Sequence, residues 1–147
     1  MLSVKNLRVV FNTRNGTTVA IDDLSFELKA GEVLGIVGES GSGKSVACYS
    51  LLGLIPMPPG KIERGTAEFL GQDLLRMSEP ELRKIRGHKI SMIFQDPMTS
   101  LNPVLSIEKQ LGEIVTKRHG LRGAQARARS LAALNTVGIP DAETQLD

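Results

Sequence analysis

The sequence is poor in the residues that build disulfide frameworks, metal sites and membrane spans. It contains one cysteine, Cys48, and two isolated histidines, His88 and His119. A single thiol excludes an internal disulfide framework and fits a reducing compartment. No cluster of His, Cys and carboxylate residues has the spacing of zinc or iron ligands. No apolar run approaches the ~20 residues of a membrane-spanning helix, and the N-terminus has no signal-peptide pattern. These absences predict a soluble, cytoplasmic protein.

An excess of charge of one sign is also absent. The chain has 18 basic and 16 acidic residues and a net charge of +2, which gives no argument for a nucleic acid or an anionic membrane as partner. Length and a hydrophobic content of 41% predict one globular domain. The basic residues near the C-terminus suit a solvated helix face better than a nucleic-acid patch; they are Lys117, Arg118, Arg122, Arg127 and Arg129.

The most informative stretch is residues 32–46. Its five mostly apolar residues at 33–37 predict a strand buried on both faces. Gly38-x-x-x-x-Gly43-Lys44-Ser45 follows at once, which is the pattern of a phosphate-binding P-loop, and residues 46–54 carry apolar positions that fit a helix. Because the motif requires strand, loop and helix in this order, the sequence predicts a nucleotide site rather than a plain glycine-rich turn.

Each residue type in this pattern has a chemical reason. Glycines at 38, 41 and 43 let successive backbone N–H groups point inward, and the helix N-terminus adds donors and partial positive charge. Lys44 would reach the β- and γ-phosphates as a point charge, and the Ser45 hydroxyl would bind Mg²⁺. The predicted nucleotide-binding residues of this stretch are Gly38, Ser40, Gly41, Ser42, Gly43, Lys44, Ser45 and Val46.

The remaining elements are read from periodicity and turn signals. Alternating polarity over residues 2–11 predicts a strand with one wet face, and Asn15-Gly16 is a hairpin signal. Ser78, Pro80 and Glu81 mark the start of a helix that Gly87 ends. Further strands are predicted at 18–21, 24–28, 65–71 and, mostly apolar, 89–94. Further helices are predicted from 105 to 119 and from 124 to 137.

Two stretches carry a resemblance to a known family. The P-loop, followed about fifty residues later by Gln95 at a predicted strand end, resembles the ATP-binding subunit of an ABC transporter, and this resemblance covers the whole chain. Residues 35–45 and 92–103 are similar to importers of dipeptides, oligopeptides, nickel and glutathione. The specific part is Pro97, Pro103 and the Thr-Ser-Leu-Asn run between them.

The resemblance implies roles for individual residues. Phe11 occupies the position of an aromatic residue that stacks on adenine, although a strand-end core residue explains it equally well. Gln95 matches a glutamine that contacts Mg²⁺ and the attacking water; the alternative is an amide that caps a strand end. Lys44 and Gln95 are then the catalytic residues, Ser45 and Gln95 the metal-binding residues, and ATP and Mg²⁺ the cofactors.

The resemblance also implies a fold and an assembly. The expected fold is α/β, a P-loop NTPase of the ABC ATPase type. Residues 1–31 would form an antiparallel β part, 32–103 a partial parallel core, and 104–147 the start of a helical subdomain. The implied partners are a second ATP-binding subunit, membrane permease subunits that dock near 96–115, and a solute-binding protein, with no nucleic acid. The implied location is peripheral, on the cytoplasmic face of the membrane.

Several family features are not found in these 147 residues. There is no Leu-Ser-Gly-Gly signature, no later apolar strand that ends in Asp-Glu, and no switch histidine. The sequence is therefore interpreted as an N-terminal fragment of a peptide-type importer ATPase, with the C-terminal half missing. Two alternatives stay open: a nucleotide-binding module that does not hydrolyse ATP, and, less favoured, another P-loop enzyme such as a kinase.

Overall fold

The structure, a computed structural model, describes residues 1–96 and 100–147. Its contacts divide the chain into two units, Met1–Ile90 and Ser91–Asp147. This boundary falls inside the predicted 32–103 segment, and the three-part domain organisation stays a prediction. No helix in either described range is long and apolar enough to cross a membrane.

The first unit is built on a four-stranded antiparallel sheet. Its strands are β1 (Leu2–Thr13), β2 (Gly16–Leu28), β3 (Gly60–Phe69) and β4 (Gln72–Asp73), in the order β2-β1-β3-β4. Thr13 pairs with Gly16 across the predicted hairpin, and Gly16 has a φ of 118°, a conformation that favours glycine. The two strands expected at 18–21 and 24–28 form one continuous strand, and β3 starts five residues before the predicted position 65.

Helices cover one side of this sheet. They are α1 (Lys44–Leu51), a short 3₁₀ helix (Leu74–Arg76) and α2 (Glu79–Ile85). The predicted start of α2 is confirmed, because Ser78 and Glu81 form a capping box. The core joins buried residues of the sheet to buried residues of the helices and their flanks; it contains Val4, Leu7, Val9, Ile21, Ala47, Leu51, Ile55, Ala67, Leu74 and Leu82.

Arg86, which follows α2, closes the C-terminal end of α1. Its Nε donates to the Leu52 carbonyl at 2.6 Å and its Nη2 to the Gly53 carbonyl at 3.2 Å, while Nη1 donates to Glu79 at 2.7 Å. The last carbonyls of a helix have no partner within the helix and carry partial negative charge. Arg86 therefore ties the helix after the glycine-rich loop to α2.

We expect Arg86→Met to lower the free energy of unfolding by about 2 kcal/mol, since hydrogen bonds to a charged group contribute about 1.5–3 kcal/mol each. Urea unfolding followed by circular dichroism measures this loss of stability. Arg83→Met is the matched control, because Arg83 pairs with the same Glu79 but is 78% exposed. The hydrogen bond from Arg86 holds the pKa of Glu79 below its ordinary value of 4.5. This ion pair therefore contributes above pH 4.5 and is lost as the pH falls through the lower folded-state pKa. Equal losses in the two variants would contradict the proposed cap.

The second unit is helical. It contains α3 (Ile107–His119), α4 (Ala124–Thr136) and α5 (Ala142–Leu146). The predicted end of α3 at His119-Gly120 is confirmed, with Gly120 at a φ of 70°. Arg127 on α4 donates from Nη1 to Glu108 on α3 at 2.8 Å and to Asp147 at 3.0 Å, so one guanidinium joins three parts of this unit.

Two strand predictions are wrong. Residues 33–37 have no regular secondary structure, and Val33 and Val37 are 98% and 94% exposed. Of residues 89–94, only Ile90 takes part in a bridge, with Arg86, and Ile93 is 95% exposed. An apolar run shows that a segment gains from burial, but a strand also needs a neighbouring strand to pair with. Within the described residues neither segment has such a neighbour.

We expect the amides of residues 33–37 to exchange with solvent at nearly the rate of an unfolded peptide. No described backbone hydrogen bond engages them, whereas Val9 and Val10 lie in the central strand and are at most 1% exposed. Hydrogen exchange on the soluble monomer measures the contrast, with the two β1 amides as the internal control. Strong, cooperative protection of Ile36 and Val37 in a monomer would show that this segment is paired, contrary to the expectation.

Candidate functional site

The glycine-rich loop wraps around the side chain of its own lysine. Lys44 is the first residue of α1, and its Nζ donates to the carbonyls of Gly38 and Glu39 at 2.7 and 2.6 Å and to Ser42 Oγ at 3.3 Å. The ammonium group is thus held inside the curve of the loop. The N–H donors of this ammonium group bind oxygen acceptors of the loop, and they can bind phosphate oxygens in their place.

Both the backbone conformation at position 43 and the atoms around it require glycine there. Its φ is 92°, and a Cβ built there would lie 2.5 Å from the carbonyl oxygen of Ala20 on β2. A Cβ at Gly38 would lie 2.7 Å from Ser42 Oγ. The Ala20 oxygen is backbone and leaves no room for a side chain at Gly43, whereas the Ser42 hydroxyl could rotate away from a side chain at Gly38.

The N-terminus of α1 adds donors to the loop. No side chain caps it, so the first N–H groups and the partial positive charge of the helix end face the loop region. Ser40, Ser42 and Ser45 are exposed, whereas Val46 is half-buried and packs on the core. Every predicted residue from Gly38 to Val46 therefore belongs to one continuous loop and helix start.

A cleft of about 440 Å³ lies between this loop and β2. One wall is the loop and the other is the middle of β2, so the cleft combines the Lys44 cation with apolar and acidic groups. Its lining residues are Ala20, Ile21, Asp22, Asp23, Leu24, Ile36, Val37, Gly38, Ser42, Gly43, Lys44 and Ala47. Sequence reasoning missed the β2 wall, since no motif marks it.

Two other predicted site residues, Phe11 and Gln95, are not among those that line the cleft. Phe11, on β1, pairs with Gly60 of β3 and packs against the core; it does not line the cleft, and its role toward adenine stays a prediction. Gln95 is exposed and belongs to the second unit, so its role also stays a prediction. The predicted docking segment begins in the same unit, and its residues Pro97, Met98 and Thr99 lie outside the described residues.

A family model described as ABC transporter matches residues 21–147. The chain belongs to the ABC transporter family. The match includes the first unit from Ile21 onward, with the loop and most of the β2 wall, and the whole second unit. It confirms the resemblance that the P-loop and Gln95 stretches carry.

Two relatives within this family are named as peptide-transport proteins and match nearly the whole chain. The chain is 46% identical over 147 residues to the oligopeptide transport ATP-binding protein OppD of Bacillus subtilis, covering 100% of this chain and 41% of the relative. It is 49% identical over 141 residues to the dipeptide transport ATP-binding protein DppD of the same organism, covering 96% and 42%. The ABC chain described here thus spans about two fifths of the length of these relatives.

A solved ABC structure confirms the fold class. The dimeric structure of MJ0796, described as a bacterial ABC transporter cassette, matches with a TM-score of 0.79 and 26% identity, over 96% of this chain and 59% of that chain. The expected α/β P-loop NTPase fold of the ABC ATPase type is therefore correct. The local strands expected at 33–37 and 89–94 are the part of that expectation that the structure does not contain.

Proposed function

We propose that this chain binds Mg-ATP in the cleft between the glycine-rich loop and β2, as part of the ATP-binding subunit of an importer for di- or oligopeptides or a related solute. The observation that carries the proposal is the Lys44 ammonium group held inside the loop, 2.7 Å from the Gly38 carbonyl. The N–H donors that this group gives to loop oxygens can pass to phosphate oxygens, and the names of the peptide-transport relatives supply the solute class.

The residues present fit a triphosphate. The absence of a side chain at Gly43 lets the loop lie directly against β2, and the uncapped N-terminus of α1 adds N–H donors. Lys44 would bind the β- and γ-phosphate oxygens, and Phe11 stays the residue proposed to stack on adenine. The chain's own contribution is to bind and orient the phosphates by fixed donors.

The Mg²⁺ ion that accompanies ATP would need few ligands from the protein. Among the described residues no group of three or more His, Cys, Asp or Glu could hold a metal ion, and Mg²⁺ in nucleotide sites is held by one or two protein oxygens together with phosphates and water. Ser45, exposed at the start of α1, would supply one such oxygen, and the metal-binding role of Gln95 stays a prediction from the resemblance. Bound Mg²⁺ would neutralise charge on the phosphates.

The remaining parts of the proposal concern the assembly. We infer a second ATP-binding subunit, since the related cassette is dimeric, and permease subunits that dock near residues 96–115. A solute-binding protein and a location on the cytoplasmic face of the membrane belong to the same inference. The exposed apolar side chains of Leu101 and Val104 support a docking role for that segment.

Calorimetric titration of the purified chain with Mg²⁺ and ATP, ADP, AMP or adenosine tests the proposal. We expect affinity to rise with the number of phosphates, because the donors of the loop are the main contacts. Adenosine and AMP that bind as tightly as ATP, or no binding of ATP, would refute the phosphate site.

A turnover assay on the same protein separates hydrolysis from binding. We expect no steady ATP hydrolysis by residues 1–147, because the Asp-Glu pair and the signature motif implied by the resemblance are not in this sequence. Steady hydrolysis that is lost in Lys44→Ala would show instead that these 147 residues suffice for catalysis.

Gln95 is expected to act in coupling rather than in holding nucleotide. In the assembled importer, Gln95→Ala should lower transport and ATP turnover at least about tenfold while ATP affinity stays within a few-fold, because the resemblance implies that the residue would contact the attacking water rather than hold the nucleotide. Gln72→Ala, at an exposed position on β4, is the matched control. A large loss of affinity with normal turnover of bound ATP would contradict this role.

A further inference from the structure

The chain makes a tight turn immediately before α3, at Asn102-Pro103. The Leu105 N–H donates to the Asn102 carbonyl at 3.2 Å, and the Val104 N–H donates to Asn102 Oδ1 at 3.0 Å. Asparagine at the first position of a turn and proline at the second favour this geometry. The local sequence therefore bends the chain here, and we call residues 101–105 the docking turn.

A side chain of α3 adds a second set of hydrogen bonds to the docking turn. Gln110, the fourth residue of α3, is half-buried. Its Oε1 accepts from the Asn102 N–H at 2.9 Å, and its Nε2 donates to the carbonyls of Asn102 and Leu105 at 3.1 and 2.9 Å. Both ends of the carboxamide are thus used on backbone groups five and eight residues earlier. These bonds fasten the docking turn to the first turn of α3.

The docking turn displays apolar side chains instead of burying them. Leu101, Val104 and Leu105 are all exposed, Val104 to 87%. Apolar side chains in water gain free energy either by folding back onto the chain or by contact with a partner. Because the backbone of the turn is bonded both within itself and to Gln110, folding back would break these bonds. The turn therefore keeps its apolar contact surface available.

We propose that Gln110 is a positioning residue that holds the docking turn in its binding conformation before the permease arrives; this inference rests on the permease docking proposed above. A loop that becomes ordered only on binding loses conformational freedom at that step, whereas a loop ordered in advance does not. The three hydrogen bonds of Gln110 are already made within the chain, so it acts through the turn and not through a bond to the permease.

Hydrogen exchange on the purified chain tests whether Gln110 orders the turn. We expect the Asn102 and Leu105 amides to exchange at least about fivefold faster in Gln110→Ala and in Gln110→Glu. The glutamate variant has nearly the same shape but, when ionised, no donor for the two carbonyls. Gln125→Ala and Gln125→Glu are the matched controls, because Gln125 is exposed on α4 and its side chain makes no hydrogen bond within residues 1–96 and 100–147. Unchanged exchange of the Asn102 amide in both Gln110 variants overturns the proposal.

Titration of the ATP-binding subunit with its detergent-solubilised permease tests the functional part. Both Gln110 variants should bind the permease about tenfold or more weakly, while ATP affinity stays within about twofold of wild type, since Gln110 does not line the cleft. Both Gln125 variants should bind like the wild type. A double variant, Leu101→Ser with Val104→Ser, probes the docking surface itself and should also lose binding.

The outcomes separate the role of Gln110 from the docking on which it rests. Wild-type permease affinity in both Gln110 variants, with a loss in the double variant, overturns the role of Gln110 and leaves docking at this turn intact. Wild-type affinity in the double variant overturns both. If Gln110→Glu alone keeps its permease affinity, the residue only fills space. An equal loss of ATP affinity in the Gln110 variants shows general unfolding, which is contrary to a positioning role.

Discussion

Replacing Lys44 with alanine is expected to weaken ATP and tripolyphosphate binding by about 100-fold or more. The ammonium group is the cation held within the loop, where it contacts the Gly38 and Glu39 carbonyls. Charge-assisted hydrogen bonds to two phosphates contribute about 1.5–3 kcal/mol each, and about 1.4 kcal/mol corresponds to a factor of ten in affinity. Titration calorimetry at fixed ionic strength measures the loss.

A matched lysine separates this loss from a general change in charge. Lys61 is exposed on β3 and does not line the cleft, so Lys61→Ala removes the same charge and should bind ATP within about twofold of the wild-type chain. Circular dichroism should show the same folded content in both variants. If Lys44→Ala retains wild-type affinity, the phosphates do not bind at this loop.

Gly43→Ala is expected to disrupt the loop and with it nucleotide binding. A non-glycine residue in the left-handed conformation costs about 1–2 kcal/mol, and here the new methyl group would also lie 2.5 Å from the backbone oxygen of Ala20. That oxygen belongs to a paired strand and cannot move aside as a flexible side chain can. The loop must therefore shift, and we expect at least tenfold weaker ATP binding together with a lower melting temperature.

Gly31→Ala isolates the effect of the contact from that of the backbone strain. Gly31 has a similar φ of 79° but nothing within 4 Å of a built Cβ, and it does not line the cleft. Gly31→Ala should therefore lower the melting temperature slightly and keep ATP affinity. Wild-type ATP affinity in Gly43→Ala would show that β2 and the loop do not constrain each other as described.

The parts of the fold that could be predicted from the sequence are those that depend on near neighbours in the chain. The capping box of Ser78 and Glu81 spans three residues, the hairpin before Gly16 spans two, and Gly120 ends α3 through a hydrogen bond to Thr116. Each is set by local backbone geometry and local hydrogen bonds. The loop at 38–45 is of the same kind, because its glycines, lysine and helix start follow one another directly.

The predictions that failed depend on partners far away in the sequence. Residues 33–37 and 89–94 have the composition of buried strands, yet composition does not say which strand pairs with them, and in the described residues none does. Likewise, no pattern announces that Arg86 closes the end of α1 from 34 residues away, at Leu52, or that Arg8 reaches Glu63 across 55 residues.

The sequence by itself determined the phosphate-binding loop, the family and the positions of most helices, because each depends on residue types that lie close together in the chain. Only the tertiary structure decided what faces that loop: the middle of β2, with the Ala20 carbonyl against Gly43. The physical reason is that strand register, bulges and ion pairs between strands are set by packing among distant residues. The sequence therefore predicted the loop side of the cleft, and the structure added the β2 side.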